Sequence, residues 1–183
     1  DLLAGDGRFP PMEPMLEGAQ AVAGPLARRH GGEGPGHGRV RGHEARVLGP
    51  CDGPPPEPFV TPLGDSLPLS ANGSIAPLAP DPSAALRTLR VLADEEFDVI
   101  HLHEPLAPGP TLTAAVTHRY PTVGTFHAAG TSASYQLIKP WLLSWIKRID
   151  HKVVVSKDAL ALARSPLGED YEVLFHGVDI GQI

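Results

Sequence analysis

The stretch FDVIHLHEP, residues 97–105, decides the fold of this 183-residue chain, because a short apolar run ends in two histidines, a carboxylate and a proline. Ile100 and Leu102 favour a β-strand, and the run is too short and too sharply bounded for a helix. The pattern predicts a buried strand with polar chemistry at its carboxyl end, at His103 and Glu104. In open α/β sheets ligands bind at that end, where the connecting loops diverge.

On either side of this stretch, strand and helix patterns alternate along the chain. Strands are predicted within residues 42–50 and at 98–103, 122–126, 151–156 and 171–175. Helices are predicted from a cap at Asp81 to about Glu96 and at 108–118, 134–149 and 157–164. The first helix is predicted to pack through one face that carries Leu86, Leu89, Leu92 and Ala93. This alternation predicts βαβ units and a Rossmann-like α/β fold, a parallel sheet with helices on both faces.

Glycine and proline are unevenly distributed, since 29 of the 41 lie in residues 1–82. Residues 1–41 show no sustained periodicity apart from an interrupted helical pattern over 17–30, so we predict a poorly ordered or aberrant segment there. Residues 50–82 carry ten prolines and are predicted to form a long loop over the sheet, with short extended pieces at 59–62 and 74–76. The folded Rossmann-like domain is expected over residues 42–183.

Composition excludes several classes of protein. The net charge of −6 and the pI of about 5.8 provide no basic surface for nucleic acid. Cys51 is the single cysteine, which excludes an internal disulfide and zinc sites built on cysteine pairs. The sequence has neither an apolar run of about 18 residues nor a secretory signal, so we expect a soluble cytoplasmic protein. Because the chain starts with Asp1 rather than methionine, we interpret it as a fragment.

Three histidines are the candidates for chemistry. His101 and His103 share one face of the predicted strand, because side chains alternate with period two, and His127 ends the next strand. The three could serve a metal-dependent hydrolase, but most such pairs are not metal sites, and we predict no metal. The small residues after His127 leave room for a ligand at the rim of the sheet. On spacing alone, a ligand-binding His127 and a structural His127 have equal weight.

Residues 134–149 combine basic side chains with an apolar stripe that includes Trp141 and Trp145. Such a helix can lie on a membrane surface. Packing against the sheet is the more frequent use of this pattern, and we favour it.

Five motifs follow one another in the order GHEARVLGP, FDVIHLHEP, VGTFHAAGTS, HKVVVSKDAL and YEVLFHGVDI. In this order they resemble the amino-terminal half of family 4 glycosyltransferases of the GT-B fold, among them the phosphatidylinositol mannosyltransferase-like group. The resemblance covers residues 41–183. It implies two Rossmann-like domains facing across a cleft, the first binding mainly the acceptor and the second mainly the sugar nucleotide. It also implies retention of anomeric configuration, with no metal or cofactor and with GDP-mannose or a UDP-sugar as co-substrate.

The resemblance also assigns roles to residues. His127 matches the family histidine that positions the transferred sugar, and Glu104 matches the acid that orients this histidine or an acceptor hydroxyl; both are the predicted catalytic residues. The predicted substrate-binding residues are His103, Ala128, Gly130 and Thr131. Gly18 echoes the family's Gly-Gly loop and is the predicted nucleotide-binding residue.

The resulting functional prediction is a retaining transferase that moves a hexose such as mannose from a sugar nucleotide to a lipid or small-molecule acceptor. The donor-side domain is absent from this chain, so the chain alone is expected to be inactive. Pro77 and Ser132 stand where users of inositol phosphate carry basic residues, which disfavours a phosphorylated inositol acceptor. Expected partners are the sugar nucleotide, the acceptor and the inner face of the plasma membrane, without nucleic acid. The alternative is a non-catalytic carbohydrate- or nucleotide-binding α/β module.

The abrupt change near Gly42 suggests the hypothesis that residues 1–41 are an out-of-frame reading of the family's first strand, glycine loop and helix. Translation of the source DNA in the other two frames is then expected to give an apolar strand, a Gly-Gly pair and an amphipathic helix. If neither frame encodes them, the hypothesis is wrong and the segment is a natural extension.

Overall fold

The computed structural model of the protein describes residues 22–26, 38–40, 43–55, 57–71, 74–127, 144–168 and 170–175. In chain order its strands are β1 (Val22–Leu26), β2 (Gly38–Val40), β3 (His43–Gly49), β4 (Val60–Pro62), β5 (Leu67–Ala71), β6 (Ser74–Leu78), β7 (Ile100–His103), β8 (Thr122–Phe126), β9 (His151–Val154) and β10 (Glu172–Val173). Its helices are α1 (Pro82–Asp94), α2 (Pro110–Thr117) and α3 (Lys157–Leu167).

One large sheet organises these elements, with the order β10-β9-β8-β7-β1-β3-β2 and with β4 paired to β3. Strands β7 to β10 run parallel to one another, as do β3 and β4. Strand β1 is antiparallel to both β3 and β7, and β2 is antiparallel to β3. The predicted Rossmann-like α/β fold is confirmed, and β1 and β2 add antiparallel strands to a sheet that was expected to be parallel.

Two strands of the sheet, β1 and β2, come from residues 1–41. The helical pattern over residues 17–30 is wrong in its centre, because Val22–Leu26 is a strand. Gly24 and Pro25 both disfavour a helix, and pairing with β3 offers this backbone hydrogen-bond partners that a helix would have to provide internally. Within residues 50–82, the extended pieces predicted at 59–62 and 74–76 are confirmed as β4 and the first part of β6, whereas β5 was not predicted.

The core lies on one face of the sheet. In β7, Ile100 and Leu102 are buried, whereas His101 and His103 alternate with them on the other face. Leu102 and Leu48 pair with the same β1 residue, so they lie on the same side of the sheet. The cluster that they join contains Leu48, Leu63, Leu92, Phe97, Ile100, Leu102, Ala114 and Ala115. Helices α1 and α2 therefore pack on this face.

A second apolar cluster continues along the same face beneath α3. Its buried members are Phe126, Ile146, Ile149, Val154, Ala159 and Ala163. Between the two clusters, a Cβ atom on Gly124 would lie 2.9 Å from Cγ of Pro105 and 3.1 Å from Cγ2 of Ile149. Glycine is therefore needed here because two other segments approach the β8 backbone closely.

Helix α1 begins as predicted but buries a different face. The Asp81 side chain accepts a hydrogen bond from the Ala84 N–H at 2.9 Å, and Pro82 occupies the first turn. The buried residues are Ala84, Thr88 and Leu92, whereas Leu86 is 67% exposed and Leu89 is 41% exposed. The predicted packing face was therefore wrong for Leu86, Leu89 and Ala93, which is also exposed. Small Ala84 and Thr88 side chains allow the close approach that two leucines would prevent.

The remaining helix predictions fall into two groups. Those at residues 108–118 and 157–164 are confirmed as α2 and α3, and Oγ of Ser156 caps α3 by accepting from the Ala159 N–H at 3.0 Å. Most of the helix predicted at 134–149 lies outside the described residues, although 144–146 are helical. Within the part of the chain that the structure describes, no helix is both long and apolar enough to cross a membrane.

The two faces of α1 can be separated by a pair of matched truncations. Leu92→Ala is expected to lower the free energy of unfolding by about 2–5 kcal/mol, because it leaves a cavity in the core. Leu86→Ala on the exposed face is expected to change it by no more than about 0.5 kcal/mol. Urea denaturation of both variants measures the difference, and equal losses would place Leu86 in the core.

Candidate functional site

The site lies where β7 and β8 end side by side. The two strands are parallel, with His101 opposite Val123 and His103 opposite Thr125. His103 is the last residue of β7, and His127 directly follows β8. Because Leu102 and Phe126 are buried on the core face, the alternation of side chains directs the histidines and Thr125 to the opposite face.

Three imidazoles form a row along this face, which we call the imidazole row: His101, His103 and His127. The ring centroids of His101 and His103 are 4.4 Å apart, and those of His103 and His127 are 5.1 Å apart with an interplanar angle of 28°. Nδ1 of His103 lies 2.9 Å from Nε2 of His127, and Nε2 of His101 lies 2.6 Å from Oγ1 of Thr125. The row is therefore held by one hydrogen bond between two of its members and by another from His101 to Thr125.

Glu104 holds the backbone of His127. Its Oε1 accepts a hydrogen bond from the His127 N–H at 2.5 Å, while its own N–H donates to the Thr125 carbonyl at 2.8 Å. The φ of Glu104 is +51°, a left-handed conformation that is uncommon for residues other than glycine. Its carbonyl accepts from the Ala107 N–H and from Oγ1 of Thr111, which anchor the turn to α2. This turn aims the carboxylate across to the end of β8.

Burial disfavours the charged form of His101. Burial, and to a smaller extent the electrostatic effect of His127, lower the pKa of His101 from 6.5 to about 4. His101 is therefore neutral near pH 7. A neutral imidazole carries one N–H donor and one acceptor nitrogen, so the His101 ring can both donate and accept hydrogen bonds.

The row does not have the geometry of a metal centre. Among the described residues, no group of three or more histidine, cysteine, aspartate or glutamate side chains could hold a metal ion. Nδ1 of His103 and Nε2 of His127 are directed at each other, and Nε2 of His101 is directed at a threonine hydroxyl. These nitrogens do not converge on a common point, which argues against the hydrolase alternative.

The structure brings together three of the residues predicted from the sequence, His127, Glu104 and His103. The others, Gly18, Ala128, Gly130 and Thr131, lie outside the described residues. Sequence reasoning missed Thr125 as the partner of His101 and Thr111 as the anchor of the Glu104 turn. Thr125 had a signal, since its position two residues before His127 places both on the same face of β8.

A cavity of about 520 Å³ lies at the opposite end of the sheet, at the amino terminus of β9. Its charged lining comprises the bases Lys147, Arg148 and Lys152, the acids Asp150, Asp170 and Glu172, and His151. Acids and bases balance there, and His151 is paired with Glu172 at 2.8 Å. The cavity therefore has no evident preference for an anionic ligand, and the candidate site remains at the carboxyl ends of β7 and β8.

Comparison with known proteins covers most of the chain. Residues 37–182 match the family model described as Glycosyltransferase Family 4. A phosphatidyl-myo-inositol mannosyltransferase of Mycobacterium leprae (strain TN) is 35% identical over 148 residues, which are 79% of this chain and 39% of that protein. The protein of that name from Mycolicibacterium smegmatis is 32% identical over 144 residues, 78% of this chain and 37% of the relative. The chain thus spans about two fifths of the length of these relatives.

The neutral state of buried His101 predicts a specific acid sensitivity. Below pH 6.5 the unfolded chain protonates this histidine, whereas the folded protein resists protonation until about pH 4, so the free energy of unfolding falls as the pH drops through this window. His101→Gln, whose amide can still bond Thr125, is expected to remove about 3 kcal/mol of this acid destabilisation. Chemical denaturation of both proteins at pH 7 and pH 4 tests it. Identical pH slopes would show that folded His101 titrates normally.

Proposed function

Because this chain belongs to glycosyltransferase family 4, we propose that it forms the acceptor-side domain of a retaining enzyme that transfers a hexose from a sugar nucleotide to a hydroxyl acceptor. One observation carries the proposal: His127, His103 and Glu104 meet at the ends of two adjacent parallel strands, where α/β sheets bind ligands. The names of the relatives support mannose as the transferred sugar.

The imidazole row suits the recognition of a sugar. A sugar hydroxyl both donates and accepts hydrogen bonds, and a neutral imidazole offers one group of each kind. In glycosyl chemistry the transition state resembles an oxocarbenium ion, with positive charge on the sugar. A neutral His101 adds no positive charge that would oppose this one. These residues would contribute polar groups that are already in position before the reaction begins.

Glu104 acts in this proposal through the backbone of His127. Its hydrogen bond to the His127 N–H fixes where the loop after β8 begins, and with it the position of the imidazole. A displacement of about 1 Å in a positioned group can cost a factor of about 100 in rate. Glu104 is therefore a positioning residue, and His127 is the residue expected to contact the sugar.

The donor side of the reaction is part of the proposal. A second domain, outside this chain, would grip the diphosphate of GDP-mannose or a UDP-sugar, and this chain alone would not turn over. Transfer would need no metal ion or other cofactor. The absence of convergence in the imidazole row supports a mechanism based on positioned side chains.

The acceptor is proposed to be a lipid or a small molecule with a free hydroxyl. The relatives' names contain a phosphatidyl lipid, which supports a lipid acceptor and a location in the cytoplasm against the inner face of the plasma membrane. Pro77 and Ser132 are uncharged, which disfavours any phosphorylated inositol as the acceptor, and transfer to phosphatidylinositol tests this directly.

The proposal is tested by His127→Ala and Glu104→Ala in the full-length gene product. Each is expected to lower kcat by about 100-fold, because the sugar is no longer positioned, while the free energy of unfolding falls by only about 1–2 kcal/mol. Transfer from GDP-mannose to phosphatidylinositol vesicles, with EDTA present and with the anomeric configuration of the product read by NMR, measures turnover, metal independence and retention.

The control is His151→Ala, which alters a histidine at the amino terminus of β9, away from the imidazole row. It is expected to keep the wild-type kcat. If His127→Ala instead lowered the free energy of unfolding by as much as it raised the activation free energy of transfer, His127 would be a structural histidine. Sugar-nucleotide binding by the wild-type protein without any transfer would favour the non-catalytic binding module.

A further inference from the structure

We propose that Thr111 is a positioning residue of the candidate site, although its side chain is fully buried on α2. Its hydroxyl ties the turn at Glu104 to the helix, and through Glu104 it helps to fix the backbone of His127 at the rim of the sheet. The inference rests on the proposed function and deepens it, because it adds a residue that acts on the site from inside the core.

Thr111 contacts both ends of the turn that follows β7. Its Oγ1 lies 3.2 Å from the Glu104 carbonyl oxygen and 3.2 Å from the Ala107 carbonyl oxygen. The Ala107 N–H donates to the Glu104 carbonyl at 2.9 Å, which closes the turn between these two residues. A threonine hydroxyl has one proton to donate. Whichever carbonyl accepts it, the bond joins the turn to the second residue of α2.

The contact with Glu104 distinguishes Thr111 from an ordinary helical threonine. A threonine hydroxyl in a helix often donates to the carbonyl four residues earlier, and Thr88 does so in α1, where its Oγ1 lies 2.8 Å from the Ala84 carbonyl oxygen. The contact of Thr111 with Ala107 has this spacing, but Glu104 lies seven residues earlier and outside the helix. The hydroxyl of Thr111 therefore reaches beyond its own helix into the turn at the site.

Both sides of the contact suit a positioning role. On the helix side, Thr111 is 0% exposed, and its neighbours Pro110, Ala114 and Ala115 are also buried, so α2 gives the hydroxyl a fixed position. On the turn side, the φ of Glu104 is +51°, a conformation that persists in residues other than glycine only when surrounding contacts hold it. A bond from the core to this turn therefore opposes relaxation of the Glu104 backbone.

A change in the turn reaches the site through Glu104. Its N–H donates to the Thr125 carbonyl at 2.8 Å, and its Oε1 accepts from the His127 N–H at 2.5 Å. Rotation of the Glu104 backbone therefore moves the carboxylate that holds the start of the loop after β8. A displacement of about 1 Å costs about 100-fold in rate. Because the bond from Ala107 to Glu104 remains when the Thr111 hydroxyl is removed, we expect a smaller displacement and a loss of about 10-fold in kcat.

The test uses substitutions of Thr111 and one control in the full-length gene product. Thr111→Val removes the hydroxyl and keeps the branched shape, whereas Thr111→Ser keeps the hydroxyl and removes a buried methyl group. Thr111→Ala differs from Thr111→Ser only in the hydroxyl, so this pair gives the same comparison if Thr111→Val does not fold. Thr88→Val is the matched control, because Thr88 is also 0% exposed and donates within α1. Urea denaturation measures the stability of each variant.

The first readout is the rate at which the His127 backbone N–H exchanges with deuterated solvent, followed by NMR in protein labelled with ¹⁵N-histidine. This rate reports how often the bond from the N–H to Glu104 opens. Thr111→Val and Thr111→Ala are expected to exchange about 5- to 10-fold faster than the wild type, whereas Thr111→Ser and Thr88→Val keep the wild-type rate. An unchanged rate in Thr111→Val and Thr111→Ala would overturn the inference.

The second readout is steady-state transfer of mannose from GDP-mannose to phosphatidylinositol vesicles. Thr111→Val is expected to lose about 10-fold in kcat with a much smaller change in KM, and Thr111→Ser is expected to keep most of the wild-type kcat despite its missing methyl group. Thr88→Val is expected to keep the wild-type kcat with a loss of stability similar to that of Thr111→Val.

Two results of this assay would overturn the positioning role and leave the proposed function intact. One is a kcat that follows the stability of the variants and not the presence of the Thr111 hydroxyl. The other is faster exchange of the His127 N–H with a wild-type kcat. A wild-type protein without transfer activity would contradict the proposed function, while the exchange rates would still decide whether Thr111 holds the turn.

Discussion

Strand β7 has only one face that can enter the core, and this constraint determines the rest of the site. Burial of Ile100 and Leu102 is favourable by roughly 1.5–3 kcal/mol for each side chain, and the alternation of side chains then leaves His101 and His103 no position except the opposite face. A slip of one residue would exchange the two sets and bury both imidazoles in the apolar clusters. The same energy that forms the core therefore aligns the histidines.

The second strand of the site is placed by close packing. Gly124 lies opposite Leu102 and has no room for a side chain between Pro105 and Ile149. This contact joins the turn after β7, the centre of β8 and the segment before β9 in one small volume. Because these segments meet at a glycine, the register that sets Thr125 beside His103 is also the register that lets the two apolar clusters lie next to each other. The positions of the imidazole row and of the core therefore both follow from the pairing of β7 with β8.

Local patterns in the sequence predicted the parts of the fold that depend on local physics. Strands β7 and β8 are apolar runs with clear boundaries, and Asp81 and Ser156 are side chains that cap helices wherever the chain permits. The packing face of α1 was not predictable in this way, because it depends on which small residues α2 approaches. The antiparallel position of β1 between β3 and β7 is also a matter of pairing between distant segments. Periodicity within β1 contains no information about its partners.

The candidate site shows the same limit. Because two adjacent parallel strands were predicted to end in these residues, His103, Glu104 and His127 were expected to meet at one edge of the sheet. The structure places them in contact there. The different contacts that they make depend on the turn at Glu104, where φ is left-handed. No pattern in a single sequence predicts this backbone conformation. Without that value, the carboxylate would be expected to face the imidazole of His127 and not its backbone.

The left-handed turn at Glu104 is strained, and its hydrogen bonds offset the strain. A residue other than glycine in this region costs about 1–3 kcal/mol, and the hydrogen bonds of Glu104 to Thr125, Ala107 and Thr111, at about 1 kcal/mol each, are of the size needed to offset it. Glycine would adopt the same backbone without steric cost. It would, however, lack the carboxylate that reaches the His127 N–H. The strained backbone therefore carries the Glu104 carboxylate, which bonds the His127 N–H. His127 is the residue that we propose contacts the sugar.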